Sequence, residues 1–193
     1  MSSIGERPTT GSGGGGGGNA NITQVGSTNV NATVSGNGFL PVGGWSTKVA
    51  QAVTTTAVTY TTGQVIGGLL TLADVTPNND QRFLLQSVSV NCKSNQTIQL
   101  DVIFFNANPS GSTITNGSAL AIVTADYDKI SEVVHITDWT ALNTTSFAQA
   151  DNLARLLSPT SGSANVYACI VARGSLTSGT TSEMTLNVKT ASV

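Results

Sequence analysis

One stretch of the sequence, Phe83 to Asn106, constrains the fold more than any other, because apolar residues recur there at every second position. Val88, Val90 and Cys92 alternate with polar residues, and the alternation resumes after a short polar break. The second run sets Ile98, Leu100, Val102 and Phe104 against Thr97, Gln99, Asp101 and Ile103. Residues two apart share one face of a strand, so both runs are predicted to be strands with one buried face.

The polar break between these strands, Lys93 to Gln96, has the length and composition of a hairpin turn. The two strands are therefore expected to be antiparallel neighbours in one sheet, which we call the predicted central hairpin.

Turn signals separate further short strands along the rest of the chain. These strands are predicted at Gln64–Leu72, Leu120–Val123, Val133–Ile136, Val166–Arg173 and Met184–Val188, with a Thr/Val/Ala run at Gln51–Tyr60 before them. Gly67 and Gly68 indicate a bulge or a close backbone approach. A turn is expected at Pro77–Asp80, a helical turn at Asp126–Glu132 and an irregular segment at Phe147–Leu157. The pattern predicts an all-β domain over residues 57–193, a jelly-roll-like antiparallel β-sandwich.

Residues 1–56 differ in kind from this domain. Six consecutive glycines, Gly13 to Gly18, are followed by a Gly/Asn/Thr-rich segment, and no charged residue lies between Arg7 and Lys48. Ordering such a segment costs about 1–2 kcal/mol of backbone entropy per residue, and its scattered apolar residues cannot form a core. We therefore expect an extended N-terminal arm that neighbouring subunits order.

The charge content excludes some classes of partner. Only 9% of the residues are charged, against about 25% in an ordinary soluble domain, and the formal net charge is −2. Contacts to a phosphate backbone need clustered Lys and Arg, so we expect no nucleic-acid partner. A surface with so few charges associates readily with other protein, which is typical of a subunit of a larger assembly.

The two cysteines and the apolar runs bear on location. Cys92 and Cys169 both lie within apolar strands and are predicted to be unpaired core thiols rather than a disulfide. The N-terminal residues contain no apolar segment of the kind that a signal peptide needs. No run approaches the roughly 20 apolar residues of a membrane span, so we expect no membrane partner.

Few residues are candidates for catalysis or metal binding. His135 is the only histidine, and strand parity places it opposite Val134 and Ile136, which favours a solvent-facing role over a catalytic one. Cys92, Cys169 and His135 are too far apart in the sequence to indicate a zinc site. Asp126 and Asp128 allow a shared Ca²⁺ as an alternative to solvated loop acids, which is the preferred interpretation.

Three other features have structural interpretations. Lys129 and Glu132 are expected to form an exposed ion pair, and Trp45 and Trp139 are expected in the core or at a subunit contact. The Gly13–Gly18 run lacks the flanking strand and Gly-Lys-Ser/Thr of a phosphate loop. No catalytic, cofactor-binding or metal-binding residue is predicted, so a non-catalytic protein is expected.

Several segments of the folded part together resemble a family of small virion structural proteins of tailed bacteriophages, some of which are capsid decoration (cement) proteins. The segments are YTTGQVIGGLLTL, LLQSVSV, QLDVIFFNANPSGSTITNGSALAI, DKISEVVHI and SGSANVYACIVARG, and the N-terminal VGSTNVNATVSGNGFLPVGG is similar to the repetitive segments of phage appendages. The resemblance implies a β-sandwich that oligomerises, commonly as a homotrimer, and binds an assembled shell without catalysis. It carries no residue-level role.

The expected function is therefore a decoration protein that binds the major capsid protein on the capsid surface of the virion, after assembly in the bacterial host cytoplasm. One alternative is a tail, baseplate or fibre component, with the arm as virion anchor and the sandwich as host-recognition head. A second alternative is a carbohydrate-binding module, in which Trp45, Tyr60, Tyr127 and Trp139 stack on sugar rings.

Overall fold

The structure, a computed structural model, describes residues 46–56, 58–76, 79 and 82–192. These residues form twelve strands, all in antiparallel pairings, and one short helix. The strands are β1 Ser46–Val53, β2 Thr59–Tyr60, β3 Val65–Leu72, β4 Phe83–Cys92, β5 Leu100–Phe105, β6 Ile130–Ile136, β7 Trp139–Leu142, β8 Thr145–Ala150, β9 Arg155–Leu157, β10 Val166–Ala172, β11 Leu176–Thr177 and β12 Met184–Ser192, and the helix is α1 Thr124–Tyr127. The predicted all-β class is confirmed.

Two main sheets hold most of the strands. The first sheet has the order β1-β12-β4-β8-β7, and β9 pairs with β4 next to β8. The second sheet has the order β3-β10-β5-β6, and the short strands β2 and β11 form a separate ladder. Strands that are consecutive in the chain therefore lie in different sheets more often than they pair with each other.

The main core lies between the two sheets and draws on both of them. Val88 and Val90 of β4 belong to the same apolar cluster as Leu100 and Val102 of β5 and Ile170 of β10. All five side chains are fully buried, each with an exposed fraction of 0%. The predicted inward faces of these strands are confirmed, and the two sheets pack face to face in a sandwich-like arrangement.

A second apolar cluster covers the other face of the second sheet. It contains Cys169, Ile103 and Phe105 from the sheet, together with Ile114 from the segment that follows β5. Leu120 of that segment packs against the same cluster. The segment thus closes the sheet from outside, which explains why β10 is buried on both faces, as its sequence predicted.

The predicted central hairpin is wrong. β4 belongs to the first sheet and β5 to the second, so residues 93–99 cross from one sheet to the other. Ser146 of β8 anchors this crossing: its hydroxyl donates to the Ser94 carbonyl at 2.8 Å and accepts from the Gln96 amide at 3.0 Å. Side-chain alternation identifies which residues of each strand face the core. It does not show whether two strands pair within one sheet or lie in opposite sheets, because the same residues face the core in both cases.

An irregularity in β4 explains where its alternation begins. The pairing with β12 passes from Lys189–Ser87 to Thr190–Leu85, so Gln86 has no partner in the ladder. A residue added to one strand reverses the parity of the residues that follow it. Phe83 and Leu85 therefore face the core before Gln86, whereas Val88 and the even-numbered residues face it afterwards.

Gly67 and Gly68 of β3 form the predicted irregularity. Both have a φ of +81°, and the pairing of β3 with β10 shifts register at this point. A Cβ added to Gly67 would lie 2.2 Å from Cγ1 of Val53. Gly67 is therefore required both for its left-handed backbone and for the close approach of β1.

The ends of several elements differ from the prediction. β1 begins at Ser46, so residues 46–53, which the sequence analysis placed in the arm, form a strand of the domain. Residues 120–123 form no strand, although Ala121 bridges Thr113. The helical turn predicted at Asp126–Glu132 lies at Thr124–Tyr127, and residues 130–132 belong to β6. The predicted irregular segment contains most of β8 and all of β9.

Some predictions fall on positions that lie outside the described residues. These are the arm up to residue 45, with its glycine run and Trp45, and Pro77, Asn78 and Asp80 of the predicted turn.

Candidate functional site

A cluster of charged side chains lies at one end of the second sheet. Asp101 of β5 is paired directly with His135 of β6, and Arg173 follows the end of β10. Nδ1 of His135 lies 2.7 Å from Oδ1 of Asp101, and Nε of Arg173 donates to Oδ2 at 2.6 Å. The prediction placed Asp101 on a polar face, but its carboxylate is buried.

The neighbours of Asp101 keep it charged. Burial raises the pKa of this carboxyl, but hydrogen bonds from Arg173 and His135 and their positive charge outweigh burial, so the pKa lies below its ordinary value. The His135 side chain is 69% exposed, as its predicted solvent-facing position required. An aspartate that orients an imidazole is one part of a catalytic triad, and a nucleophile would complete it.

The nearest candidate nucleophile by register is a thiol on the same face of the sheet. Cys169 stands opposite Ile103, two positions along β5 from Asp101. Burial raises the pKa of Cys169 to about 12, which favours the protonated thiol at neutral pH. The cluster therefore fixes the end of the sheet through charge.

Asp126, the candidate calcium ligand, is committed to protein donors. Its Oδ2 accepts from the Gly111 amide at 2.9 Å and from the Ser112 hydroxyl at 2.7 Å, and its Oδ1 from Nζ of Lys129 at 2.7 Å. These bonds, that of Lys129 first, lower the pKa of Asp126, whereas Asp128 is exposed to solvent. The cluster anchors the segment that covers the second sheet.

The predicted ion pair between Lys129 and Glu132 is wrong. Because Lys129 pairs with Asp126, Glu132 instead lies 3.4 Å from Nε of Arg155.

A buried carboxylate, Glu183, organises the turn before β12. Its Oε2 accepts from the amides of Gly179 at 2.6 Å and Thr180 at 3.4 Å, and its Oε1 accepts from the hydroxyl of Ser94. Burial raises the pKa of Glu183, but these hydrogen bonds outweigh it and the pKa is lowered. Both oxygens are thereby used to join the turn to the crossing segment between the sheets.

Both cysteines are free and buried, which confirms the prediction of unpaired core thiols. The Cys92 thiol lies 3.7 Å from Oε1 of Glu183, and burial raises its pKa.

The three described aromatic residues that were proposed for sugar stacking do not form one surface. Tyr60 is fully buried and donates its hydroxyl to Oδ1 of Asn116 at 2.8 Å. Trp139 packs against the main core and donates Nε1–H to the Ile98 carbonyl at 2.6 Å. Tyr127 is exposed on α1.

A groove on the outer face of the first sheet is a polar surface feature that the sequence analysis missed. Its volume is about 280 Å³, and we call it the outer groove. It is lined by Lys48, Ser87, Ser89, Asn91, Phe147, Gln149, Asn187 and Lys189. These residues come from β1, β12, β4 and β8, so only the strand register brings them together.

The outermost strands of the two sheets are β1 and β7 in the first and β3 and β6 in the second. β1 contains one charged residue, Lys48, and neither β3 nor β7 contains any. The outer edges of β1, β6 and β7 carry backbone groups with no partner strand among the described residues, whereas Val65 of β3 bonds to Gly117 and Ser118. Such edges accept an added strand from another chain.

Within the described part of the chain, no group of three or more His, Cys, Asp or Glu side chains is arranged to hold a metal ion. The same residues include no helix long and apolar enough to cross a membrane.

Comparison of the whole chain with protein-family models and with curated protein sequences yields no match.

Proposed function

We propose that this chain is a non-catalytic virion structural protein that binds the assembled capsid of a tailed phage as a decoration protein. It stabilises the shell through contacts between subunits, and its partners are the major capsid protein and further copies of itself. The sequence resemblance of the folded segments supports this proposal, and the edge strand β1 is the structural observation on which it depends.

β1 supports the proposal because of what precedes it and what it exposes. The predicted arm continues directly into Ser46, the first residue of β1. β1 pairs with β12 over its whole length on one side only, and it carries the single charge of Lys48. Natural monomers protect such edges with charges, prolines or bulges, so an edge with one lysine favours contact with a second chain.

The order of the strands supports a jelly roll as the detailed fold. A jelly roll has eight main strands in two sheets. Here β1-β12-β4-β8 and β3-β10-β5-β6 supply four strands each. The chain passes repeatedly between the two sheets, as at residues 93–99, which is the connectivity that two interleaved Greek keys require.

A chain that lacks residues 1–44 tests the role of the arm. We expect it to remain soluble, β-rich and cooperatively folded, because β1 and all the core residues that the structure describes are retained. In co-sedimentation with shells of the cognate major capsid protein, the full chain should bind and raise the shells' resistance to heat. The truncated chain should do neither.

Equal binding by the truncated and full chains would show that the arm is not the anchor. Failure of the full chain to bind any shell would overturn the proposed function itself.

A tail, baseplate or fibre component is the alternative within the same class. Quantitative mass spectrometry of purified particles separates the two, since a decoration protein is present in proportion to the shell subunit and an appendage protein in proportion to tail structures.

A further inference from the structure

The floor of the outer groove contains a buried amide whose oxygen has no donor among the described residues. Asn187 of β12 is only 6% exposed although it points to the outer face of its sheet. Its Nδ2 donates to Oδ1 of Asn91 at 3.3 Å, but its Oδ1 receives no hydrogen bond from the described residues. A buried acceptor without a donor is costly, and a ligand hydroxyl that donates to it would remove that cost.

Two lysines stand beside this amide. Lys48 of β1 and Lys189 of β12 are directly paired across the strands, so their side chains leave the sheet on the same face. Neither forms an ion pair with a described residue. Like charges directly opposite each other destabilise a sheet, and an anion bound between them would relieve this repulsion.

An acidic group that shares a hollow with Lys189 does not neutralise the two lysines. Asp151 lines the adjoining hollow together with Lys189, and its Oδ2 accepts from Nε2 of Gln149. Among the described residues that line the outer groove and this adjoining hollow, the cations are Lys48 and Lys189, and the one carboxylate already has a protein donor.

We propose that the outer groove binds an acidic saccharide, a sugar chain that carries carboxylate groups. Its carboxylate lies between Lys48 and Lys189, and one of its hydroxyls donates to Oδ1 of Asn187. This inference is independent of the proposed capsid role, because it concerns the face of the first sheet rather than the arm or the sheet edges.

The lining of the outer groove favours a saccharide as its ligand over the carboxylate of an acidic peptide. Asn91, Gln149 and Ser89 carry amide and hydroxyl groups that both donate and accept hydrogen bonds, as sugar hydroxyls do. Phe147, half-buried at the side of the groove, offers an apolar face to the C–H groups of a sugar ring. A second copy of this face is excluded as the occupant by charge, since it would bring two lysine pairs together.

Isothermal titration calorimetry on the full chain tests the proposal with oligogalacturonate and with its methyl ester, which keeps the hydroxyls and lacks the charge. We expect binding of the acid form only. Lys48→Gln and Lys189→Gln should each weaken it by about tenfold, as expected for the loss of a charged hydrogen bond. Arg155→Gln is the matched control: it removes the same charge from the opposite side of the first sheet and should leave binding unchanged.

Two further measurements place the ligand. The side-chain amide signal of Asn187 in an NMR spectrum should shift on addition of oligogalacturonate, and Gln149→Ala, an exposed substitution, should weaken binding without lowering the melting temperature. Polyglutamate is the probe for an acidic peptide. Equal binding of polyglutamate would show a general cationic patch and overturn the saccharide proposal, as would the absence of binding to oligogalacturonate.

Discussion

Asp101 shows how one buried charge is held in this domain. Its carboxylate lies in a strand of otherwise apolar residues, where an unpaired charge would be very unfavourable. Arg173 and His135 supply the donors that each oxygen needs, from the two strands on either side. The charge is therefore compensated within one sheet and contributes to stability only while the carboxyl is ionised.

This compensation predicts a pH dependence for Asp101→Asn. The pKa of Asp101 in the folded protein is lowered from its ordinary value, which is about 3.9 in an unfolded chain. Its stabilising contribution is thus fully present above about pH 4 and is lost as pH falls through the folded pKa. The difference in melting temperature between wild type and variant should be largest near neutral pH and should shrink below about pH 4.

Asp126 and Glu183, whose pKa values are also lowered, remain in both proteins and affect both alike. Asp138→Asn, an exposed substitution, is the control. A pH-independent difference for Asp101→Asn would mean that its effect arises from shape rather than charge.

Leu100 provides a prediction for an apolar residue, in contrast to the charged Asp101. It is fully buried between the sheets, so Leu100→Ala removes apolar contacts and leaves a cavity. We expect the free energy of unfolding to fall by about 2–5 kcal/mol in denaturant titration. Leu142→Ala, at a side chain that is 55% exposed, should change it by less than about 0.5 kcal/mol. Similar losses at both sites would contradict the packing described here.

At the scale of single elements, β1 and β3 meet at Gly67. An alanine there would need the left-handed backbone that only glycine adopts freely, and its Cβ would overlap the Val53 side chain. Gly67→Ala should lower the free energy of unfolding by about 2–4 kcal/mol. Gly179→Ala is the control, because no atom lies within 4 Å of its added Cβ.

Adding Val53→Ala to Gly67→Ala separates the two causes. If the overlap matters, the double variant should lose less stability than the sum of the single variants, as a double-mutant cycle measures. Full additivity would attribute the whole loss to the backbone.

The sequence could predict those structural features that depend only on residues of the same strand. The inward residues of β4, β5, β10 and β12 follow from alternation, and the Gly67–Gly68 pair is itself a bulge signal. Pairing between strands was not predictable in this way. β4 and β5 are adjacent in the chain but lie in opposite sheets, and the outer groove exists only because the ladder sets Lys48 opposite Lys189.

The same limit applies to Asp101 and to the cover of the second sheet. Alternation placed Asp101 on a solvent face because the sequence of β5 does not show that residues after Phe105 return over that face. The aspartate within an otherwise apolar strand was the only signal that a charged partner lay nearby.

At the scale of the whole molecule, the scarcity of charge bears on assembly. The edge strands β1 and β7 carry a single charge between them, so contacts between copies along these edges would use backbone, apolar and Ser/Thr groups. Salt screens only charge. We expect a closed cyclic oligomer, a trimer, whose mass in light scattering is the same in low and molar NaCl. A monomer at micromolar concentration, or dissociation in salt, would contradict this.

The position of β12 also governs when the domain can form. β12 lies between β1 and β4, so it joins the first strand of the sheet to the rest. On the ribosome, β1 and β4 are synthesised long before residues 184–192, and until then β1 lacks its native neighbour and β4 can pair only with β8 and β9. Their sheet is thus completed only after β12 has been synthesised, through contacts between distant parts of the chain, which form slowly. Before β12 emerges, a nascent chain must therefore avoid pairing its β1 or β4 with a strand of another nascent chain.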